Sequence, residues 1–270
     1  MKWRINFLIG FPIVAVLGTM ALTALFWTPY SPTGTRIRSR LQPPNSTHWL
    51  GTDEFGRDVL SRIMDGALVS FRVALATMIF AIIVGSLIGV VTGYLRGWTD
   101  RLIMMVNDAM LAFPGILLAL AIMVILGPGQ SSIVIALGLA YTPSVVRIVR
   151  GQVLSLREKE YIEASRMIGN SEVYTMLRHI LPNCIAPIAV LGTSMFGWAV
   201  LSESALSFLG LGVPPPAATW GNMLASARGY MESAVWLSLA PGLCITLTLL
   251  GINLLGDALR DWLDPRMASR

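Results

Sequence analysis

The sequence is short of charged residues and of the side chains that nucleotide and metal sites commonly use. Only 13% of its 270 residues are charged, and it has two lysines, two histidines and two cysteines. Neither Lys2 nor Lys159 follows a glycine, which excludes a phosphate-binding loop of the G-x-x-x-x-G-K-[ST] type. His48 and His179 are too far apart for an H-E-x-x-H helix. We therefore expect no catalytic residue and no metal site in this chain.

Apolar residues, in contrast, are abundant. They make up 54% of the chain, and the mean hydropathy is +0.67. A globular domain of this size could not bury so much apolar surface, and a disordered or disulfide-stapled chain would have a different composition. The composition indicates a protein that lies in the lipid bilayer, and the net charge of +5 does not suggest a nucleic-acid partner.

Six apolar runs are long enough to cross a membrane as helices. They predict an all-α integral membrane protein with an N-terminal anchor helix and outer loop (residues 1–70) and a core of five helices (71–270). The runs cover residues 7–27, 71–94, 102–126, 133–149, 185–206 and 235–255. All but the second run contain a proline, which predicts kinks, as at Pro114 in the third run. Gly85, Gly89 and Gly93 in the second run share one helix face, which favours close packing.

Positive charge is unevenly distributed between the two sides of the membrane. Of the 20 Lys and Arg residues, 13 lie in segments on the side of the N-terminus, and seven lie in or beside the outer segments. The bias predicts a membrane protein with both termini in the cytoplasm. The seven outer residues are Arg36, Arg38, Arg40, Arg57, Arg62, Arg72 and Arg228.

The cytoplasmic segment 151–183 is the most informative part of the sequence. Its periodicity predicts two short helices, with Gly169 at the turn between them and Pro182 ending the second helix. Glu163 is placed to pair with Arg166, three residues on. The residues that share the apolar faces are Tyr161, Ala164 and Ile168 in the first helix, and Val173, Leu177 and Ile180 in the second.

The order of residues in this segment resembles the EAA loop of ABC importer permeases. The family pattern is E-A-A-x-x-x-G, nine residues, then I-x-L-P, and the chain has Glu163-Ala164-Ser165, Gly169 and Leu181-Pro182. Ser165 replaces the second alanine with another small residue, and His179 replaces the isoleucine. The string R-H-I-L-P-N at 178–183 is similar to the peptide/nickel branch of these permeases.

Three further stretches resemble the same branch and extend the similarity from about residue 48 to the end of the chain. They are residues 50–58 with 61–62, residues 207–213 with 220–221, and residues 256–261 with 264–266. Their order along the six runs is similar to that of the C-type permease, the second of two membrane subunits in importers of dipeptides, oligopeptides and nickel.

The resemblance implies a type I ABC importer fold and a set of partners. A related B-type permease would pair with this chain, and a binding protein outside the cytoplasm would deliver the substrate. Two ATPase subunits, or one heterodimer, would hold ATP and Mg²⁺ and dock on the EAA loops, so that this chain binds no cofactor and is not an enzyme. Glu163, Ala164 and Gly169 would form the coupling core, with Leu181 and Pro182 fixing the loop to the fifth helix.

Three polar residues inside the runs are candidates for the translocation path. Asn107 and Asp108 lie in the third run, where an acid is costly and should face the bundle interior or water. Asp108 could instead be a helix-end carboxylate paired with Arg101 or with the partner subunit. Glu203, near the outer end of the fifth run, could face the binding protein or a central cavity, or could be structural.

Two alternatives to a peptide importer remain open at this point. The same machine could import nickel or another metal as a chelate. An ion-driven secondary transporter would want paired acids at mid-membrane and two related halves, whereas only Asp108 lies well inside a run and no repeat is visible. An intramembrane enzyme is disfavoured, because the sequence has no G-x-S-x-G motif and no histidine in any run.

Overall fold

The computed structural model describes residues 2–263, and there every regular element is helical, apart from one isolated bridge pair between Thr52 and Asp58. The predicted family-like residues 264–266 lie outside the described part. The helices are α1 (Lys2–Thr23), α2 (Val59–Leu95), α3 (Gly97–Leu111), α4 (Gly115–Leu126), α5 (Gln130–Leu156), α6 (Glu160–Met167), α7 (Glu172–Thr175), α8 (Ile185–Phe208), α9 (Trp220–Ala227) and α10 (Trp236–Leu263).

The spanning segments agree with the predicted all-α membrane fold. Five described segments are long and apolar enough to cross a membrane: most of α1, all of α2, α5 and α10, and the continuous segment Glu172–Phe208 that contains α8. Helices α3 and α4 pass the same test only as a pair. All six predicted runs overlap these segments.

The third run differs from the prediction, because it is not one kinked helix. Helix α3 ends at Leu111 and α4 begins at Gly115, and the two are bent by 95°. The break lies at Pro114, which has no N–H group and whose ring disfavours helical backbone at Phe113. Pro114 itself adopts ψ 126°, which ends the helical path.

The predicted glycine face of the second run packs against α5. A Cβ atom at Gly89 would lie 2.8 Å from the Cβ of Val149, and one at Gly93 would lie 2.8 Å from the Cβ of Val153. A Cβ atom at Gly85 would lie 2.5 Å from the Cβ of Val145. Because the three glycines and the three valines share a spacing of four, the two helices approach closely along about two and a half turns.

The outer segment between α1 and α2 is folded onto the start of α2. The carboxylate of Asp58 caps this helix by accepting hydrogen bonds from the N–H and hydroxyl of Ser61, at 2.8 and 2.7 Å. Trp220 at the start of α9 is fully buried, and its indole donates to the carbonyl of Ile63 at 3.1 Å. Helix α2 begins at Val59, so the predicted division between residues 70 and 71 falls inside this helix.

The bundle has two distinct ends, separated by the length of α2. This helix has 37 residues and is about 55 Å long at 1.5 Å per residue. The outer segment lies at its first residues, and the segment 151–183 lies at its last ones, as described below. Phe7 near the start of α1 lines one groove with Trp262 near the end of α10, and Gly256 lies against Thr193 in the first half of α8. The described ends of α1 and α10 thus lie at the same end as segment 151–183.

Candidate functional site

Segment 151–183, hereafter the coupling loop, is a helical corner closed by Gly169. Helix α6 ends in a Schellman motif, in which the N–H of Asn170 donates to the carbonyl of Ser165 at 3.2 Å and that of Gly169 to Arg166 at 2.9 Å. Gly169 has φ +88°, as predicted for this turn, and this conformation is costly for residues with a side chain. The corner therefore depends on glycine because of its backbone conformation.

Ser165 joins the two sides of the corner. Its hydroxyl lies 3.1 Å from that of Thr175 in α7 and accepts a hydrogen bond from the Asn170 side chain at 3.1 Å. Ser165 and Thr175 are both buried. The serine that replaces the family's second alanine thus fits in a small space and adds hydrogen bonds that an alanine could not make.

The predicted end of the second loop helix at Pro182 is wrong. Helix α7 continues through a π-helical turn, Met176–Ile180, and a 3₁₀ turn, Leu181–Cys184, into α8. The N–H of Leu181 donates to the carbonyl of Met176, five residues back. Pro182 has no N–H group to donate to the helix, and the π-type bond and the 3₁₀ turn let the helix continue past it. The loop is therefore joined to α8 by continuous helix.

The predicted apolar face of α6 points away from the bundle. Ile162 and Ser165 are buried on the inner side, whereas Tyr161 is exposed and Ile168 is 80% exposed. Met167, the residue before Ile168, is 82% exposed. Val173 and Leu177 extend this exposed apolar surface across the corner, and only Ile180 of the predicted second face is buried. An exposed apolar patch of this kind marks a surface that contacts another protein or the membrane.

The predicted pair between Glu163 and Arg166 is not formed. Within the described residues Glu163 has no ion pair, and it is exposed beside Ala164. Arg166 turns the other way and donates from Nε to the hydroxyl of Tyr94 at 3.2 Å, with its guanidinium 5.0 Å from the centre of that ring. Glu163 is thus free to meet a positively charged partner.

Arg157 attaches the start of the coupling loop to the end of α2. Its guanidinium donates to the backbone carbonyl of Tyr94 at 2.9 Å and lies 3.4 Å from that of Gly93, which caps the helix. Burial, then the charges of Arg96 and Arg166, lower the pKa of Arg157. Because the usual pKa of arginine lies far above neutral pH, Arg157 stays charged despite this decrease.

The remaining predicted loop residues lie where the loop meets α8. The imidazole of His179 lies edge-on to the ring of Tyr174, with centroids 5.7 Å apart, and its carbonyl accepts a hydrogen bond from Asn183. Leu181 is half-buried and packs against the core around Ile180, while Pro182 is exposed.

Asp108 forms an ion pair that the sequence analysis did not predict. Its carboxylate accepts a hydrogen bond at 2.7 Å from Arg147 in α5, rather than from Arg101. The two side chains are 56% and 59% exposed, although both lie within spanning segments. The adjacent Asn107 is buried, and its side-chain N–H group has no acceptor within the described residues.

Two further ion pairs connect α3 and α5, or the residues next to them, closer to the coupling loop. Arg150 forms a two-pronged pair with Asp100, at 2.7 and 2.8 Å. Arg96 and Glu158, just outside the two helices, lie 3.7 Å apart. Because α3 and α5 run antiparallel, the three pairs form a ladder that ends where the coupling loop begins.

Glu203 lies inside the packed bundle and not on a cavity surface. It is fully buried and accepts hydrogen bonds from Ser207 at 2.7 Å and from Ser70 of α2 at 3.1 Å, with Ser204 at 3.5 Å. No Lys, Arg or His forms an ion pair with it in the described chain. Its contacts connect α2 and α8, so of the two alternatives left open by the sequence the structure supports the structural one.

Comparison with protein families matches residues 81–269 to the binding-protein-dependent transport system inner membrane component. The chain belongs to this family. It is therefore the membrane component of a binding-protein-dependent ABC transporter, which works with ATPase and substrate-binding partners. Membership excludes the ion-driven secondary transporter and the intramembrane enzyme.

Curated relatives extend the similarity over almost the whole permease. The chain is 44% identical over 262 residues to the dipeptide transport system permease protein of Alkalihalophilus pseudofirmus, covering 97% of this chain and 86% of the relative. It is 44% identical over 253 residues to the di/tripeptide transport system permease protein of Pseudomonas aeruginosa (92% and 84%). It is 40% identical over 257 residues to the glutathione transport system permease protein of Pectobacterium atrosepticum (95% and 85%).

The sequence analysis missed three residues that complete these sites in the permease. Arg147 lies inside the predicted run 133–149, and a charge within an apolar run was the signal that could have identified it. Tyr94 and Thr175 carried no comparable signal, because their roles depend on contacts with residues far along the chain.

Proposed function

We propose that this permease is the C-type subunit of an importer that moves di- and oligopeptides into the cytoplasm. The observation that carries the proposal is the coupling loop, whose rigid corner presents Glu163 and an apolar surface away from the bundle. The relatives, which are named as permeases for dipeptides, di/tripeptides and glutathione, support the substrate class. The partner in the membrane would be a related B-type permease.

The proposed orientation places the coupling loop and both termini in the cytoplasm. The described ends of α1 and α10 lie at the loop's end of the bundle. The excess of Lys and Arg in the corresponding segments of the sequence favours the cytoplasmic side.

In this proposal the coupling loop transmits movement from the ATPases to the membrane helices. ATP and Mg²⁺ would be bound by the partner ATPases, which close on binding ATP. Glu163, Ala164 and Gly169 would form the docking corner. Two connections carry its movement into the bundle: the Arg157 and Arg166 contacts with Tyr94 of α2, and the continuous helix into α8.

The proposed translocation path passes Asn107 and Asp108 together with Arg147. An ion pair that is more than half exposed within a spanning segment is costly in lipid, so it should face water or another protein subunit. The side-chain N–H group of buried Asn107 has no acceptor within the described residues, so water or another subunit should supply one. We leave Glu203 out of the path and assign it to the contact of α2 with α8.

Uptake of a labelled dipeptide tests the proposed cargo. Cells that lack this permease should lose uptake and regain it when the gene is restored, but not when the restored gene carries Glu163→Lys. Strains that lack other peptide importers are needed, so that no second system masks the loss. Unchanged dipeptide uptake, with loss of chelated-nickel uptake in the same cells, would overturn the peptide assignment in favour of a metal-chelate importer.

A further inference from the structure

The outer segment between α1 and α2 presents three arginines without acidic partners. Arg36, Arg38 and Arg40 are all exposed, and none forms an ion pair within the described residues. Arg36 and Arg40 flank a short 3₁₀ turn, Ile37–Ser39, which contains Arg38 and the exposed Ile37. We call these three residues the arginine patch.

The acids of the same segment are used elsewhere. Asp53 pairs with Arg57 at 2.6 Å and with Arg62 at 3.4 Å, and Glu54 lies 3.4 Å from Arg57. The third acid, Asp58, pairs with His48 and caps α2. The acids of the segment are therefore paired in its interior, and none of them pairs with the three exposed arginines.

The segment holds the arginine patch in a fixed position. The N–H of Arg36 donates to the carbonyl of Phe55 at 2.9 Å, and that of Leu41 donates to Asp53 at 3.0 Å, on the two sides of the patch. Gly56 has φ +72°, and a Cβ atom there would overlap the carbonyl oxygen of Arg36. A surface that is ordered before binding loses little conformational entropy when a partner docks.

The patch lies at the end of the bundle opposite the coupling loop, because the segment precedes α2 and the loop contacts its last residues. In the orientation of the proposed function, on which this inference rests, it is outside the cytoplasm. Lys and Arg are disfavoured in outer segments of this length. Unpaired arginines kept in a rigid outer segment therefore call for an acidic partner.

We propose that the arginine patch is a docking surface for an acidic face of the importer's substrate-binding protein. A binding protein must reach this end of the permease, since the family is binding-protein-dependent. Opposite charges on the two proteins accelerate their encounter and fix their relative orientation. The contact is therefore electrostatic and weakens with salt.

The test uses the whole importer, reconstituted in nanodiscs with its ATPases and titrated with its binding protein. The readout is the binding-protein concentration that half-saturates the stimulation of ATP hydrolysis. Replacing Arg36, Arg38 and Arg40 together with glutamate should raise this concentration about tenfold at low salt and leave the maximal rate unchanged.

Replacing all three with lysine should keep the half-saturating concentration near the wild-type value. Arg101→Glu, a charge reversal at the other end of the bundle, is the control.

Three results would overturn the docking proposal. One is a half-saturating concentration that does not change in the glutamate triple variant. Another is dissociation of the complex on gel filtration, which would assign the patch to the partner permease. The third is a dependence on anionic lipid in the nanodisc rather than on the binding protein. Loss of peptide uptake is measured separately, so failure of the proposed cargo would not be mistaken for failure of docking.

Discussion

Arg166 of the coupling loop donates a hydrogen bond to the hydroxyl of Tyr94, which is the second-last residue of α2. The same guanidinium lies over the Tyr94 ring at 5.0 Å, so one contact combines a hydrogen bond with a cation–π interaction. Tyr94 is almost fully buried, whereas most of α6 is exposed. The loop helix is thus attached to a fixed point in the core by a polar contact of Arg166, beside the buried apolar side chain of Ile162.

Removing this attachment should reduce coupling without unfolding the permease. We expect Arg166→Ala to lower peptide uptake about threefold to tenfold while ATP hydrolysis continues, because the loop loses one of its two polar contacts with the end of α2 and keeps only that of Arg157. Tyr94→Phe should have a smaller effect, since it keeps the ring and leaves the backbone bond to Arg157 intact. The ratio of transported peptide to hydrolysed ATP in proteoliposomes measures the effect, and an unchanged ratio in Arg166→Ala contradicts it.

Reversing the charge of Glu163 should abolish transport. The carboxylate is exposed and has no ion pair in the described chain, so Glu163→Lys costs the fold little but opposes a basic site on the ATPase. Glu160→Lys makes the same change one turn earlier on the same helix and should transport nearly normally. Uptake is compared at equal amounts of membrane-inserted protein, and wild-type uptake by Glu163→Lys would remove this residue from the coupling surface.

Substitutions at Gly169 should follow backbone conformation rather than side-chain size. No atom lies within 4 Å of a Cβ built at this position, but φ is +88°. A β-branched residue is strained there, so Gly169→Val should destabilise the corner by about 1–2 kcal/mol and strongly reduce uptake. Gly169→Asn should be close to the wild type, because asparagine tolerates this region. Equal defects in both variants would indicate a steric role in docking instead.

The packing of α2 on α5 predicts a stability defect at Gly89. A Cβ there would lie 2.8 Å from that of Val149, so Gly89→Leu must separate the helices, at a cost of about 1–3 kcal/mol. Gly151→Ala, where a Cβ would meet open space, is the control and should be neutral. Thermal unfolding in detergent measures both, and a wild-type melting temperature for Gly89→Leu would contradict the close approach.

The exposed ion pair predicts strong coupling between its two residues. Neutralising either Asp108 or Arg147 leaves the other charge unpaired in a spanning segment, which is costly. We expect Asp108→Asn and Arg147→Met each to reduce uptake more than the double variant does. Uptake measured over this double-mutant cycle provides the test, with strictly additive effects as the contrary result.

Local features of this fold could be predicted from the sequence, but long-range contacts could not. Apolar runs, the Gly169 turn and the glycine face of α2 follow from composition and helical spacing, and the structure agrees with each. The 95° bend at Pro114 is larger than the predicted kink. A proline marks where a helix can bend, but the size of the bend depends on how the neighbouring helices pack.

Polar side chains were the hardest to place, because each has several partners within reach along the sequence. Glu163 and Arg166 are correctly spaced for a helical pair, yet Arg166 binds Tyr94, which no spacing rule relates to it. For Glu203 the sequence left a structural role and an exposed role open, and the contacts with three serine hydroxyls from two helices support the structural one. Tertiary packing determines which of the available partners each polar side chain contacts.

The unbroken helix from Glu172 to Phe208 has a mechanical consequence. Its 37 residues extend about 55 Å, so a tilt of about 10° about the midpoint would displace each end by about 5 Å in opposite directions. Glu203 lies near the far end and is hydrogen-bonded to α2. In the proposed orientation, a push on the corner at Gly169 would become a counter-movement at the outer surface of the membrane, with no residue along the way needing to unfold.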